Sequence, residues 1–329
     1  MAAHHRVPFY HVSAFTDAAG GLLGNPAGVL VLGAECPAPP PAACLRAAGE
    51  LNLSETAFVV PRPPAADPAA ATDFDLRWFS PGKEVSLCGH GTLAAAHALA
   101  ALGNAAPLLT FHTLSGPLQV ARAPTPPAPP AVPTPPAPAP FTTTATMTFP
   151  ANAPAPRDAA EPPVAALAHA LLGAEHAGLL RACHYSARAR KAVLLLAPGS
   201  AAASAALAPS AEALLRAPQA PGARIEGVTV ACATPAAGPA HFAVRYWSPW
   251  NGLPGAAGED PVNGSSHTLL APLFAGLLGV AEGAEMQSTQ LSARGGKLHV
   301  AVLPGGERVA IRGQATTVCE GTMWVAAAQ

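Results

Sequence analysis

Two short glycine-containing turns carry the residue types best suited to chemistry in this 329-residue chain. The first is Cys88-Gly-His-Gly-Thr92 and the second is Gly264-Ser-Ser-His267, and an Ala- and Leu-rich helix is predicted after each. The unpaired N–H groups and the dipole of a helix start favour an anion such as a carboxylate. Capping of the helix is the alternative explanation for either turn taken alone. We therefore expect substrate-binding groups at Gly89, Gly91, Gly264 and Ser266.

A single carboxylate is the candidate for moving a proton. Glu55 lies in the segment Asn52-Leu-Ser-Glu-Thr-Ala-Phe-Val59, at the edge of an apolar run. A carboxylate so placed can take up a proton and return it, which is the role of a general acid/base. Asn52 and Glu55 also have the spacing of a capping box, but the residues that follow favour a strand over a helix. His90 fits a general acid, an orienting donor or a packed turn residue. Asp260 could orient His90 or a substrate amine, or only complement a helix dipole.

The elements that must position these residues occur twice. The motif Arg77-Trp-Phe-Ser-Pro81 recurs in similar form as Arg245-Tyr-Trp-Ser-Pro249. Each copy is followed by one of the two turns, then by the predicted helix and a strand-like segment. This order predicts an internal duplication, with two lobes whose helix starts converge on a shared cleft. Chance similarity in an Ala-rich background is the alternative, although both motifs contain an Arg and a Trp. Strands are predicted at 9–15, 27–32, 55–60 and 74–79, a helix at 91–102 and a buried helix at 269–281.

Composition excludes several classes of function. Half of the residues are hydrophobic, only 11% are charged, and the formal net charge is -1. Nucleic acid and anionic membranes are therefore unexpected partners, and the apolar run at 269–281 is too short to span a bilayer. The six cysteines form no C-x-x-C pair, which favours a reducing, cytoplasmic location. No metal-ligand spacing, dinucleotide fingerprint or Walker loop occurs, so neither a metal nor a cofactor is expected.

Five motifs in order resemble the phenazine biosynthesis PhzF family. The resemblance implies an α+β fold with two pseudo-symmetric diaminopimelate epimerase-like lobes, each a central helix wrapped by a mostly antiparallel, barrel-like sheet. The lobes are expected at 1–123 and 141–329, with the proline-rich segment 124–140 as linker or insertion and the last strand able to return to the first lobe. The resemblance also implies a homodimer. The motifs are 9–15 with Gly24-Asn-Pro-Ala-Gly28, 52–59, 88–92, 259–268 and Arg294-Gly-Gly-Lys297.

The same resemblance implies a cofactor-independent isomerase that shifts a proton on a small carboxylate-bearing metabolite. Glu55 would be the general acid/base, with His90, Asp260 and Ser265 as the other catalytic residues and Asn25 among the substrate-binding ones. Epimerases of this type carry a cysteine in both turns. Here Cys88 occupies the first position but Asn263 the second, which favours isomerisation. A non-catalytic metabolite-binding or regulatory protein and a Cys88-assisted epimerase are the alternatives.

Overall fold

The computed structural model describes residues 4–17, 23–33, 36, 38–123, 141–218, 224–235, 240–253 and 256–326. The predicted linker 124–140 lies outside the described residues. The chain divides into two compact units, the first made of residues 1–148 and 312–329 and the second of residues 149–311. This division differs from the predicted boundary, because residues 142–148 hydrogen-bond to the strand before the linker and so belong to the first unit.

The first unit is a closed barrel of eight strands that contains a buried helix. The strand order is β1-β2-β3-β4-β6-β7-β8-β16, and β16 pairs with β1 to close the barrel. Closure leaves no long unpaired edge in this sheet. The elements are β1 (His4–Thr16), β2 (Asn25–Val31), α1 (Pro41–Leu51), β3 (Glu55–Pro61), β4 (Asp73–Phe79), β5 (Glu84–Val85), α2 (Gly89–Ala101), β6 (Leu108–Thr113), β7 (Gly116–Arg122), β8 (Thr142–Pro150) and β16 (Arg308–Ala326).

From β10 onward the second unit repeats most of this succession of elements, and β9 and α3 precede the repeated part. Its strands follow the order β15-β14-β13-β12-β11-β10-β9, with helix α6 between β13 and β14. The elements are β9 (Ala155–Arg157), α3 (Pro162–His176), β10 (Leu180–Ser186), β11 (Lys191–Leu196), α4 (Ala201–Ala206), α5 (Ala211–Arg216), β12 (Gly227–Ala233), β13 (Phe242–Trp247), α6 (His267–Leu278), β14 (Met286–Gln290) and β15 (Gly296–Val302).

The strand pairings confirm the predicted duplication. β1–β2 and β10–β11 are antiparallel, whereas β2–β3 and β11–β12 are parallel. The next three steps also match: β3–β4 and β12–β13 are antiparallel, β4–β6 and β13–β14 parallel, and β6–β7 and β14–β15 antiparallel. The connection between the parallel strands β4 and β6 contains helix α2, and the connection between β13 and β14 contains helix α6. These two helices are the predicted central helices of their units.

The repeated Arg-x-aromatic motifs form the same structure twice. Arg77 makes a two-pronged ion pair with Glu84, at 2.7 and 2.8 Å, and its guanidinium lies 4.9 Å from the ring centre of Phe79. Arg245 pairs in the same way with Glu259, at 2.7 and 2.8 Å. Its guanidinium lies 4.6 Å from the ring centre of the Trp two residues further on. Each ion pair links the strand before a turn to the segment that leads into that turn, which is β5 in the first unit.

The two central helices differ in burial. All residues of α2 from Gly89 to Leu99 are buried, which is why this helix has apolar residues on every side. The prediction of a buried helix at 269–281 is wrong at its end, because α6 stops at Leu278 and Leu277 is 53% exposed. Only the first part of α6 is buried in its unit. None of the described helices has the length and apolarity needed to cross a membrane.

A proline inside α6 frees a carbonyl that ties the start of this helix to the loop after β8. Pro272 has no N–H for the carbonyl of Thr268, four residues earlier. The backbone N–H of Asn152 donates to that carbonyl instead, at 3.0 Å, and its side chain donates to the Thr268 hydroxyl at 2.9 Å. The second turn is therefore held in place by a neighbour far away in sequence.

Candidate active site

Three segments of the first unit bring polar side chains to one place. Asn25 begins β2, and Glu55 begins the parallel neighbour β3, where it pairs with Ala27. Cys88 is the residue that caps α2, and His90 lies in the first turn of that helix. All four polar side chains are buried: Asn25, Glu55, Cys88 and His90.

The imidazole of His90 lies between the other three groups. Its Nε2 is 3.0 Å from Oε2 of Glu55, and Nδ2 of Asn25 is 3.1 Å from its Nδ1. The Sγ of Cys88 is 3.6 Å from Nδ1. No described residue donates a hydrogen bond to Oε2 of Glu55, so its contact with His90 is a charge attraction rather than an aligned hydrogen bond. The buried carboxylate oxygen thus retains a lone pair for another donor.

Burial and charge act together on the pKa values of this cluster. Burial alone would lower the pKa of His90, but the negative charges that Cys88 and Glu55 can carry raise the pKa well above its ordinary value. Burial raises the pKa of the Cys88 thiol, against the lowering effect of the neighbouring His90. The protonated form of His90 requires the amide of Asn25 to turn over and accept from Nδ1–H, an orientation of nearly identical shape.

The first turn also presents backbone donors. The N–H of Gly91 is engaged, because it donates to Sγ of Cys88 at 3.2 Å. The N–H groups of Gly89 and His90 have no acceptor among the described residues. A side chain on Gly91 would place its Cβ 2.7 Å from Cδ1 of Trp78, so the turn can approach the strand only with glycine here. Of the predicted donors in this turn, the Gly89 N–H thus has no partner within the described ranges and the Gly91 N–H has one, and the His90 N–H is a donor that the prediction did not include.

The second turn repeats the hydrogen bonds of the first with different residues. Oδ1 of Asn263 accepts from the Ser266 N–H at 2.6 Å, as Sγ of Cys88 accepts from Gly91. Nδ1 of His267 donates to the Asn263 carbonyl at 2.7 Å, as the Thr92 hydroxyl donates to the Cys88 carbonyl. Asn263 thus corresponds to Cys88, and Ser265 to His90.

The predicted residues of the second unit meet at Asn263. Its Nδ2 donates to Oδ2 of the buried Asp260 at 2.6 Å, and its Oδ1 accepts from the Ser265 hydroxyl at 3.0 Å. Ser266 uses both its N–H and its hydroxyl on Asn263, so its predicted role as a substrate donor would require this turn to rearrange. The N–H groups of Gly264 and Ser265 have no acceptor in the described part of the chain.

Lys191 contacts this turn from strand β11, and the sequence did not single it out. Its Nζ donates a short hydrogen bond to Oγ of Ser265 and lies 4.8 Å from the ring centre of Tyr246. The Ser265 hydroxyl has one proton, and it donates that proton to Asn263. Its oxygen therefore accepts the hydrogen bond from the ammonium of Lys191. The signal that could have found it is position: Lys191 begins β11, the counterpart of the strand that carries Asn25.

The second unit has no counterpart of Glu55. In the two matching registers, Thr56 faces Phe79 and Val228 faces Trp247, so Gly227 takes the place of Glu55. A Cβ on Gly227 would lie 2.0 Å from the hydroxyl of Tyr246, which fills the space of the missing side chain. The duplication has therefore left one carboxylate of this kind, in the first unit.

The structure thus gathers the predicted site residues into two groups, one in each unit. Asn25, Glu55, Gly89, His90 and Gly91 form the first group with Cys88. Asp260, Gly264, Ser265 and Ser266 form the second with Asn263. Each group is a continuous network within its own unit.

A duplicated α+β chain with a closed barrel and polar turns at its helix starts has the fold of epimerase-like proteins. The family model for phenazine biosynthesis-like proteins, PhzC-PhzF, matches residues 12–321, and the chain belongs to this family.

Relatives match the chain along almost its whole length. A phenazine biosynthesis-like domain-containing protein of Rattus norvegicus is 32% identical, over 97% of this chain and 99% of the relative. An uncharacterized isomerase of Pseudomonas aeruginosa is 35% identical, over 95% and 97%. The crystal structure of a PhzF family protein from Enterococcus faecalis is similar with a TM-score of 0.73 at 27% identity, over 97% and 99%.

Proposed function

We propose that this protein is a cofactor-independent isomerase that shifts a proton on a small carboxylate-bearing metabolite, with Glu55 as the general acid/base. The observation that carries the proposal is the buried carboxylate of Glu55, which lies 3.0 Å from Nε2 of His90 and accepts no hydrogen bond at Oε2 from the described residues. An isomerase type of enzyme is supported by the relative from Pseudomonas aeruginosa, which is named an isomerase.

The proton transfer uses one carboxylate twice. Glu55 takes a proton from a carbon next to an electron-withdrawing group, and the electron pair moves into that group. The N–H groups of Gly89 and His90 are suited to hold the developing negative charge, and one such donor can lower the barrier by roughly 3 kcal/mol. Glu55, now protonated, returns the proton to a second carbon. His90 keeps the carboxylate in place between the two steps.

The second turn is proposed to bind negative charge. Lys191 places its ammonium beside Ser265, and the N–H groups of Gly264 and Ser265 point to the same start of α6. These donors suit a carboxylate. The catalytic roles of Asp260 and Ser265 follow from the family resemblance and remain proposals.

Replacement of Glu55 by Gln tests the proposal, because Gln keeps the shape but cannot take a proton. The purified protein is incubated in D2O with a panel of small carboxylic acids, and deuterium incorporation is followed by mass spectrometry. We expect Glu55→Gln to lower the exchange rate by about 100-fold or more, while Glu84→Gln, a carboxylate outside the cluster, leaves it unchanged. Undiminished exchange in Glu55→Gln would refute the role of this residue.

The proximity of Cys88 to His90, 3.6 Å from Sγ to Nδ1, favours a Cys88-assisted epimerase as the second candidate. In that case Cys88→Ser would lower the exchange rate more than Glu55→Gln. The raised pKa of Cys88 and the Asn at position 263 place this candidate second. A metabolite-binding protein without catalysis would instead show ligand-dependent stabilisation and no exchange with any acid of the panel.

A homodimer and a cytoplasmic location are proposed from the resemblance to the family and from the unpaired spacing of the cysteines. Light scattering of the purified protein and fractionation of the native cells test these two proposals.

A further inference from the structure

The cluster in the first unit has a second chemical property, which is the set of ligands that it offers. In the part of the chain that the structure describes, Glu55, Cys88 and His90 are the one group of three such side chains whose ligand atoms all lie within 4.8 Å of one another. They provide a carboxylate, a thiol and an imidazole. These are the three ligand types that Zn²⁺ binds in proteins, and catalytic or accessible zinc sites use three protein ligands with one open position.

We propose that Glu55, Cys88 and His90 form a binding site for Zn²⁺, and that the bound ion blocks proton transfer by occupying the carboxylate of Glu55. The binding does not depend on the proposed function, whereas the inhibition rests on it.

The distances require little movement. Usual zinc–ligand bond lengths place the ligand atoms of a tetrahedral site about 3.4–3.6 Å apart. Nε2 of His90 is 3.0 Å from Oε2 of Glu55 and 3.8 Å from Sγ of Cys88. Both separations are within about half an ångström of the tetrahedral values, and all three ligand atoms lie within 4.8 Å of one another. Side-chain rotations, including one that aims Nε2 of His90 at the other two ligand atoms, would close the site around an ion.

The charge of the occupied site is also suitable for a buried place. Zn²⁺ with one thiolate, one carboxylate and one neutral imidazole has a net charge of zero. The ion replaces the proton of the Cys88 thiol and the proton on Nε2 of His90, and both protons leave to solvent. A neutral cluster avoids the large cost of burying an isolated charge.

Two neighbours favour the occupied state. The Gly91 N–H donates to Sγ of Cys88 at 3.2 Å, and this bond stabilises a thiolate. Asn25 lies 3.1 Å from Nδ1 of His90, where its amide oxygen can accept the proton that a zinc-bound imidazole carries on its other nitrogen.

The test is a titration of the full chain with ZnCl2, followed by calorimetry and by competition with a coloured chelator. We expect one Zn²⁺ per chain, and Co²⁺ in its place should show the near-ultraviolet absorption of a cobalt–thiolate bond. Cys88→Ser and Glu55→Gln should each weaken zinc binding by about 100-fold or more, and Asn25→Ala by about 10–100-fold. The exposed Cys319 gives the matched control, since Cys319→Ser should bind zinc as the natural protein does.

Each outcome decides the proposal. Zinc binding that survives in both Cys88→Ser and Glu55→Gln, or that is lost in Cys319→Ser, would overturn it, as would the lack of stoichiometric binding. If Cys88→Ser is not folded by circular dichroism, the Glu55→Gln variant and the cobalt spectrum decide. If zinc binding depends on Glu55 and Cys88 but no acid of the panel takes up deuterium, the zinc site is supported and the proposed function is refuted. Exchange that zinc stops and a chelator restores supports both.

Discussion

The two copies of the Arg–carboxylate pair allow a prediction with an internal control. Glu259 and Glu84 hold equivalent arginines with the same two-pronged geometry. The environments differ: the side chains of Arg245 and Glu259 are 8% and 12% exposed, whereas those of Arg77 and Glu84 are 30% and 24% exposed. Glu259→Ala removes the ion pair from a buried environment, and Glu84→Ala removes the same ion pair from a partly exposed one.

The expected magnitudes follow from burial. Removal of one partner of a buried pair leaves an uncompensated charge and costs about 3–5 kcal/mol. Arg245 retains the carbonyls of Ser204 and Ala205, at 3.0 and 3.1 Å, as acceptors, so we expect the lower end, about 3 kcal/mol. Glu84→Ala leaves an arginine that water can reach and should cost about 1 kcal/mol. The difference of about 2 kcal/mol is roughly a 30-fold difference in the unfolding equilibrium.

Urea unfolding monitored by tryptophan fluorescence measures both variants, because Trp78 lies in the first unit and Trp247 in the second. With an m-value of about 3 kcal/mol per molar urea, Glu259→Ala should lower the midpoint for the second unit by about 1 M. Equal losses in the two variants, or a larger loss in Glu84→Ala, would refute the reasoning from burial.

Three further predictions follow from single residues. Gly91→Ala should lower the free energy of unfolding by about 2 kcal/mol and abolish exchange, since its Cβ meets Trp78; Gly276→Ala, on an open face of α6, should be neutral or stabilising by up to about 1 kcal/mol in the same urea assay. Burial lowers the pKa of His97 and of His267 to about 4 from 6.5, so the unfolded chain binds protons in this range and the folded chain does not. The contribution of these two histidines should be complete above about pH 6.5 and be lost as the pH drops toward 4, by up to about 3 kcal/mol per histidine; urea midpoints at pH 7 and 4.5 check this, and a flat profile would contradict it. The native protein should react rapidly with a thiol reagent at Cys319 alone among its cysteines, because the other five are buried; fast labelling of Cys319→Ser would count against the structure.

The fold was predictable where the sequence repeats itself. The two strand motifs share an Arg, two aromatic residues and Ser-Pro at matching positions, and this alignment carried the duplication. The structure shows both ion pairs in equivalent places. The ends of the elements were less predictable. The residues 142–148 follow the proline-rich segment in sequence but pair with β7 before it, and only long-range strand pairing can reveal that.

The first group of site residues was predictable as residue types but not as contacts. Asn25, Glu55 and His90 are distant in sequence, and the parallel pairing of β2 with β3 is what brings the first two to the same end of the sheet. Lys191 was missed because it belongs to no motif. Tyr246 was noticed only as part of the repeated strand motif, so its hydroxyl in the space of the missing glutamate was not predicted. The roles of these two residues depend on which strands pair in the folded protein, and short motifs do not reveal that pairing.

The closing strand of the barrel has a consequence for synthesis. β16 lies at the far end of the described chain from β1, yet His4 pairs with Ala326 along the same ladder. The second unit is built from one continuous stretch, residues 149–311, which is synthesised before most of β16. The first unit must hold β1 and β8 with open edges until β16 emerges, which is the period when these edges are exposed to pairing with other chains. Loss of residues beyond Arg312 should therefore harm the part of the protein that was made first.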